Sequence, residues 1–256
     1  MVILLLGVIG YMYFTNRVGE YETSPEPLED TSPLVPAEDQ KPVALYDSFG
    51  DKEIKEENEF LIVNIVYPFF DNKKLSDEVE DIVEGELRQF KKDINFDNFP
   101  IEEKNRIKEF GYKYTFDGSY EINEGEGLHS IVLDFSTYTG GAHGNHYIRS
   151  INYNDAGQRI TIGDVFQPET NYLSELSRIS RVKLQEKLAE NVSSWMEEGT
   201  APITENFSTF YTDSEGMLHI IFQPYQVGPW ATGVVDISID MKSELGSIID
   251  PKYLSE

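Results

Sequence analysis

The sequence predicts an α+β fold of two small units with largely antiparallel sheets, behind an N-terminal membrane anchor and a linker. Three observations support this fold class. Short runs rich in β-branched and aromatic residues recur along the chain, and two longer segments repeat apolar residues at helical spacing. Turn-forming residues separate neighbouring strands. Because the elements come in blocks, a helix followed by several strands, antiparallel sheets are favoured over an alternating parallel sheet.

The first unit is expected over residues 49–153. Its first strand covers residues 60–67 (FLIVNIVY), and Pro68 is expected to end it. Ser76 is the expected cap of an amphipathic helix, since acidic residues follow it and apolar residues then recur on one face. Further strands are expected over residues 112–122, 130–138 and 146–153.

The second unit is expected over residues 154–256. One amphipathic helix is predicted from Leu173 to Trp195, and Gly199 lies where it should end. A hairpin with strands at residues 207–211 and 217–222 is expected around an Asp-Ser-Glu-Gly turn, and a last strand follows at residues 234–239.

The N-terminal segment predicts a membrane anchor over residues 1–18. Residues 1–14 carry no charged side chain and end in aromatic residues. A cleaved signal peptide and a buried core helix are the alternatives, but the run lacks both a small-residue cleavage site and a polar face. Residues 19–48 are acidic and rich in proline, which is typical of an extended linker. The protein is therefore expected in the cell membrane as a single-pass protein, with its body outside the cytoplasm.

Composition limits the partners and the chemistry. The formal net charge is −25, which opposes binding to nucleic acid and would attract a basic protein. The chain has no cysteine, which excludes disulfides, Cys-ligated zinc and a thiol nucleophile. It contains no Gly-x-Ser-x-Gly elbow, phosphate loop, dinucleotide fingerprint or His-Glu-x-x-His motif. A protein that is not an enzyme and has no cofactor is expected.

The first unusual segment, residues 138–146, contains three glycines and two histidines. Its candidate ligand-binding residues are Tyr138, Gly140, Gly141, His143 and Asn145. It can be a binding loop, a tight strand connection, or a metal site with ligands at the two histidines. No metal is expected, because a third ligand is not visible.

The second unusual segment, residues 223–233, contains two prolines, two glycines and two aromatic residues. Its candidate ligand-binding residues are Pro224, Tyr225, Pro229 and Trp230. The rigid aromatic side chains can be anchors for a ligand, or they can close the end of a small sheet as part of the core.

These segments resemble a known family of extracytoplasmic domains. Residues 138–144 (YTGGAHG), 160–166 (ITIGDVF) and 222–233 (FQPYQVGPWATG) are similar to the signatures of the RsiV-like family. The first part of the body is similar to the module that precedes the catalytic domain in PdaC-type peptidoglycan deacetylases. The resemblance implies two small α+β units and, as in the anti-sigma factor RsiV, an external domain that binds lysozyme. Neither a sigma-binding segment nor a deacetylase domain is expected within residues 1–256.

Together these observations predict a non-catalytic, membrane-anchored binding module of the cell envelope. Its ligand would be a basic protein such as lysozyme, or a cell-wall glycan. A hydrolase or metal-dependent enzyme that uses residues 140–146 is one alternative. A structural envelope protein without a discrete ligand is the other.

Overall fold

The computed structural model describes residues 49–188 and 193–254. These residues form two mainly antiparallel sheets and four α-helices, which confirms the predicted α+β fold class. The predicted anchor at residues 1–18, including its apolar run at residues 1–14, and the linker at residues 19–48 lie outside the described residues. Each helix within the described ranges is too short or too polar to cross a membrane.

The regular elements run as follows along the chain. They are β1 (Phe49–Glu57), β2 (Leu61–Phe70), α1 (Lys73–Ile94), α2 (Ile101–Phe110), β3 (Tyr114–Gly125), β4 (Leu128–Tyr138), β5 (Asn145–Asn154), β6 (Arg159–Ile160), α3 (Tyr172–Lys187), α4 (Ser193–Gly199), β7 (Phe210–Thr212), β8 (Met217–Phe222) and β9 (Val235–Asp240).

The large sheet has the order β1-β2-β3-β4-β5-β6, and only β2 and β3 pair in parallel. The parallel pair is possible because α1 and α2 carry the chain back to the starting edge. Apolar residues of α1 face the sheet and form a core with it; they include Val79, Val83, Leu87 and Phe90.

Two sequence predictions for this region are wrong. Strand β2 continues through Pro68, which pairs with Asp51 of β1. The pairing of β2 with β3 ends at Ile65, so the other side of the strand has no partner at this proline. Helix α1 begins three residues before Ser76, and the side chain of Asn72 caps it. Ser76 is buried instead and exchanges two hydrogen bonds with the backbone of Phe70.

The small sheet has the order β7-β8-β9, and its hairpin agrees with the prediction. The single helix predicted from Leu173 to Trp195 is wrong, because α3 ends at Lys187 and α4 is a separate helix. Helix α4 ends at Gly199 as expected. A second core forms between α3 and one face of this sheet, around Leu176, Leu184 and Ile237.

The half-buried Ser150 and the buried Asn152 join the two sheets. Ser150 accepts a hydrogen bond from the N–H of Phe210 at 3.0 Å, and the Asn152 amide donates to the carbonyl of the same residue at 3.0 Å. Such bonds satisfy groups that water does not reach, so they fix how β7 lies against β5. The division of the body into residues 49–153 and 154–256 stays a prediction.

Candidate functional site

The first glycine-rich segment connects β4 to β5 in a tight loop. Gly140 has a φ of +77°, and a Cβ placed there would lie 2.9 Å from Cε2 of Tyr112. A Cβ at Gly144 would lie 2.7 Å from the backbone oxygen of Thr137. The geometry of the connection therefore requires these two glycines, as the tight-connection interpretation states, and it leaves the exposed His143 at the tip.

The second segment follows β8 and is held by two glutamine side chains. The Gln223 amide accepts a hydrogen bond from the N–H of Ile148 at 3.1 Å and donates to the carbonyl of Ile148 at 3.0 Å. The side chain of Gln223 therefore pairs with the backbone of β5 in the way that a neighbouring strand would. The Gln226 amide donates to the carbonyls of Gly199 and Asn206 at 3.1 and 2.9 Å. These bonds fix the loop to the large sheet, to the end of α4 and to the short helical turn Thr204–Phe207.

The two loops meet through a stacked pair of rings. The imidazole of His143 and the indole of Trp230 have centroids 3.7 Å apart and planes inclined by 22°. Trp230 is half-buried in the short helical turn Trp230–Thr232, which begins after the exposed Pro229. We call the surface formed by residues 140–145 and 229–232 the two-loop surface.

Tyr225 belongs to a neighbouring aromatic pair. Its side chain is 52% exposed and its ring lies 6.2 Å from that of Trp195, which is 41% exposed. Its φ is +70°, an uncommon conformation for a residue with a Cβ. The interpretation of Tyr225 as part of the core is therefore wrong. Strained backbone that carries an exposed ring motivates a hypothesis of function.

The remaining predicted residues lie on the same two loops or at the adjoining strand ends. Asn145 is exposed at the start of β5, and Gly141 is exposed in the loop before it. Tyr138 is half-buried at the end of β4 with its ring 6.4 Å from that of Tyr112. Pro224 is half-buried beside Tyr225. The sequence analysis missed Gln223, Gln226 and Trp195; the amides that flank Pro-Tyr were a signal for the first two.

The two histidines of the first segment point to different partners. The Nδ1 atom of His143 lies 3.0 Å from the Gly144 carbonyl, whereas Nε2 of His146 lies 2.9 Å from both carboxylate oxygens of Asp134. Within residues 49–188 and 193–254, no three His, Cys, Asp or Glu side chains form a group that could hold a metal ion. The predictions about metals and cofactors stay predictions.

A third histidine lies in a polar cluster on the small sheet. The two ring nitrogens of His219 lie 3.1 Å from carboxylate oxygens of Asp213 and Asp236. The ring of Tyr211 stacks on it at 4.2 Å, and the Tyr211 hydroxyl donates to Asp236 at 3.0 Å. Burial opposes protonation of His219, but the hydrogen bonds and charges of the two carboxylates outweigh it and raise the pKa of the imidazole.

Residues 54–146 match the family model described as Deacetylase PdaC, and residues 163–242 match the model described as Protein of unknown function (DUF3298). The body carries a PdaC domain and a DUF3298 domain. The first includes His143, and the second includes Trp230, so the two-loop surface forms where the two regions meet.

Similar proteins were found by sequence and by fold. The peptidoglycan-N-acetylmuramic acid deacetylase PdaC of Bacillus subtilis is 30% identical over 193 residues, which cover 74% of this chain and 39% of that protein. A crystal structure of a DUF3298 family member from Bacteroides fragilis has a TM-score of 0.57 at 19% identity and covers 79% of this chain and 93% of its own. One from Pseudomonas aeruginosa has a TM-score of 0.55 at 16% identity, with coverages of 83% and 99%.

The sequence comparison corrects the expectation that the protein is not an enzyme. That expectation is wrong, because the PdaC relative and the model that matches residues 54–146 are both described as deacetylases. The prediction rested on the absence of short motifs. A deacetylase that acts on a glycan does not need any of those motifs, so their absence did not exclude one. The PdaC and DUF3298 matches indicate an envelope-associated protein; they do not confirm the RsiV-like label.

Proposed function

We propose that this protein acts on peptidoglycan in the cell envelope and that the two-loop surface binds the glycan strand. The observation that carries the proposal is the stack of His143 on Trp230. It joins one loop from each matched region into one surface with an exposed polar edge. The similarity to a protein named as a peptidoglycan deacetylase supports a glycan ligand.

The shape and chemistry of the surface suit a sugar chain. Sugars present apolar C–H faces that pack on aromatic rings, and polar edges that accept and donate hydrogen bonds. The ring of Trp230 is carried on a loop that Gln223 and Gln226 hold in place, so little conformational entropy is lost on binding. The exposed Asn145 adds an amide on the other loop of this surface.

Sedimentation with purified sacculi tests this proposal. The wild-type protein should sediment with sacculi, and Trp230→Ala should weaken binding roughly thirtyfold, which is the loss typical of a central Trp anchor. Phe110→Ala is the matched control, because Phe110 is a 70% exposed ring on α2 outside the two-loop surface. Equal binding by both variants would reject the two-loop surface as the glycan site.

A second candidate function is deacetylation by this chain itself, for which His146 and Asp134 are favoured. A histidine that a carboxylate orients is a competent general base, and both side chains lie beside the two-loop surface at the start of β5 and on β4. The matched chain spans about two fifths of the PdaC relative, so this activity is a proposal for this chain.

Acetate release from sacculi tests this second candidate. The wild-type protein should release acetate, and His146→Ala should lower the rate by roughly a hundredfold, as expected for loss of a general base. His129→Ala is a matched control, since His129 also lies beside a carboxylate, that of Asp155, at 2.8 Å. No acetate from the wild type, or an equal loss in both variants, would reject this role for His146.

A basic protein such as lysozyme remains a proposed partner, supported by the net charge of −25. Association of lysozyme should slow as salt rises, because charge steering is screened.

We also propose that residues 1–14 anchor the protein in the membrane and that the body lies outside the cytoplasm. In intact cells without an outer membrane, added protease should degrade the body; full protection would refute the location.

A further inference from the structure

A concave site lies where β1, β2 and α1 meet, apart from the two-loop surface. It is an open cleft of about 490 Å³, within the size range of small-ligand sites. Acidic, basic, amide and apolar side chains line it together. They are Glu56, Asn58, Glu59, Phe60, Leu61, Lys91, Ile94, Asn95, Phe96 and Lys104.

Local caps hold both walls of this cleft. On one side the Asn58 carboxamide accepts hydrogen bonds from the N–H groups of Phe60 and Leu61 at 2.9 and 3.0 Å, which fixes the turn between β1 and β2. On the other side Asn95, which has a φ of +28°, directly follows the last residue of α1 and caps the helix. The cleft is therefore formed by turns with fixed geometry.

The apolar part of the cleft is an aromatic wall over a buried floor. Phe60 and Phe96 are stacked with centroids 5.6 Å apart, and both are half-buried. Leu61 and Ile94 are buried beneath them, at 3% and 4% exposure. A ligand that enters here meets the exposed parts of these two rings.

The charged part of the cleft contains a lysine without a carboxylate partner among the described residues. Lys91 pairs with Glu56, and Lys108, just outside the cleft, pairs with Glu59 at 2.9 Å. None of the ion pairs within the described ranges includes Lys104, although it is half-buried and the net charge of the chain is −25. A half-buried ammonium group in so acidic a protein is a natural partner for an anionic group of a ligand.

We propose that this cleft binds an acetylated amino sugar that carries a carboxylate, the chemistry of a muramic acid unit. Phe60 and Phe96 pack on the sugar and its acetyl methyl group, and Lys104 pairs with the carboxylate. The inference rests on the proposed function, because it names the unit of the glycan that a second subsite would recognise.

Aromatic rings connect this cleft with the two-loop surface along one end of the large sheet. The ring of Phe96 lies 5.1 Å from that of Tyr114, which lies 6.3 Å from that of Tyr112. Tyr112 in turn contacts the position where Gly140 begins the first loop. Tyr114 is buried, so these rings join the two sites through the core and not as a surface that a ligand contacts.

The test compares two peptide-free tetrasaccharides that differ in the carboxylate. One alternates N-acetylglucosamine with N-acetylmuramic acid, and the other is chitotetraose. The full chain should bind the first more tightly, and Lys104→Gln should lower that affinity roughly tenfold while changing chitotetraose binding less than twofold. Lys74→Gln is the matched control, because Lys74 is an exposed lysine at the opposite end of α1, outside the cleft.

The outcomes separate this inference from the proposed function. If Trp230→Ala weakens binding of both glycans and Lys104→Gln changes neither, the cleft is not a subsite and the two-loop surface stands. If Lys104→Gln weakens both glycans equally, the carboxylate is not what the cleft recognises. If the wild type binds neither tetrasaccharide, both proposals fail together.

Discussion

Two histidines of this protein stack on aromatic rings and differ in everything else. His219 lies on Tyr211 with a carboxylate at each ring nitrogen, and it links the hairpin turn of the small sheet to β9. His143 lies on Trp230 at the tip of an exposed loop, with one ring nitrogen near its neighbour's carbonyl. The carboxylate partners of His219 make its ring part of the folded structure. The ring of His143 has no such pair of partners among the described residues and lies on an exposed loop, where a ligand can reach it.

Removal of His219 should have the largest effect on stability. His219→Ala removes the imidazole that contacts both Asp213 and Asp236, and we expect the free energy of unfolding to fall by about 2 kcal/mol. Chemical denaturation measures this loss. His143→Ala is the comparison, with an expected change below about 0.5 kcal/mol. Equal losses in the two variants would remove the distinction between the two histidines.

Removal of the Gln223 amide tests whether this side chain positions the loop that carries Trp230. Gln223→Ala leaves the N–H and carbonyl of Ile148 without their partner, so we expect a loss of about 1.5 kcal/mol in stability. Glycan affinity should fall as well, because the loop that carries Trp230 is released from β5. Gln223→Glu keeps an acceptor for the Ile148 N–H and should recover part of the stability. Unchanged glycan affinity in Gln223→Ala would show that this clamp does not position the site.

Replacement of Gly140 tests the strained connection beneath His143. Gly140→Ala places a Cβ at a φ of +77° and 2.9 Å from Tyr112, and we expect a loss of about 1 kcal/mol in unfolding free energy. Gly141→Ala is a matched control, because a Cβ there has its nearest neighbour at 3.8 Å. Thermal melting of the pair checks the difference. Similar melting temperatures would mean that the loop adjusts without cost.

The smallest expected effect is a pH dependence specific to His219. Its pKa is raised above the ordinary value of 6.5, so the folded state binds the proton more tightly than the unfolded state. Its contribution is complete below about pH 6.5 and is lost as pH rises through the raised pKa. Unfolding free energies of the wild type should fall as pH rises across this window. His219→Gln should lack that decline, and a parallel decline in both proteins would assign it to other groups.

Sequence alone predicted the elements with strong local signals. The periodic apolar residues of α1 and the turn before β8 were enough to locate them. The sequence analysis missed β1, whose residues are mostly charged and exposed, because its strand conformation comes from pairing with β2. The break between α3 and α4 was also missed, since both helices continue one apolar pattern.

The candidate site was predictable only in part, because it also depends on contacts between residues distant in sequence. Glycines and prolines marked both loops as unusual, and the structure brings them together through the contact between His143 and Trp230. The exposed pair of Tyr225 and Trp195 was not predictable, because it joins residues from different elements. The clamps made by Gln223 and Gln226 depend on backbone atoms distant in sequence.

The most direct test of the glycan-binding surface is a titration followed by amide and indole resonances of the isotope-labelled protein. The probe is the peptide-free tetrasaccharide of N-acetylglucosamine and N-acetylmuramic acid. We predict saturable shifts of the Trp230 indole N–H and of the His143 and Asn145 amides, with the His219 region unchanged. Saturable shifts confined to other surfaces, or no shifts at concentrations where sacculi bind, would contradict the two-loop surface as the glycan site.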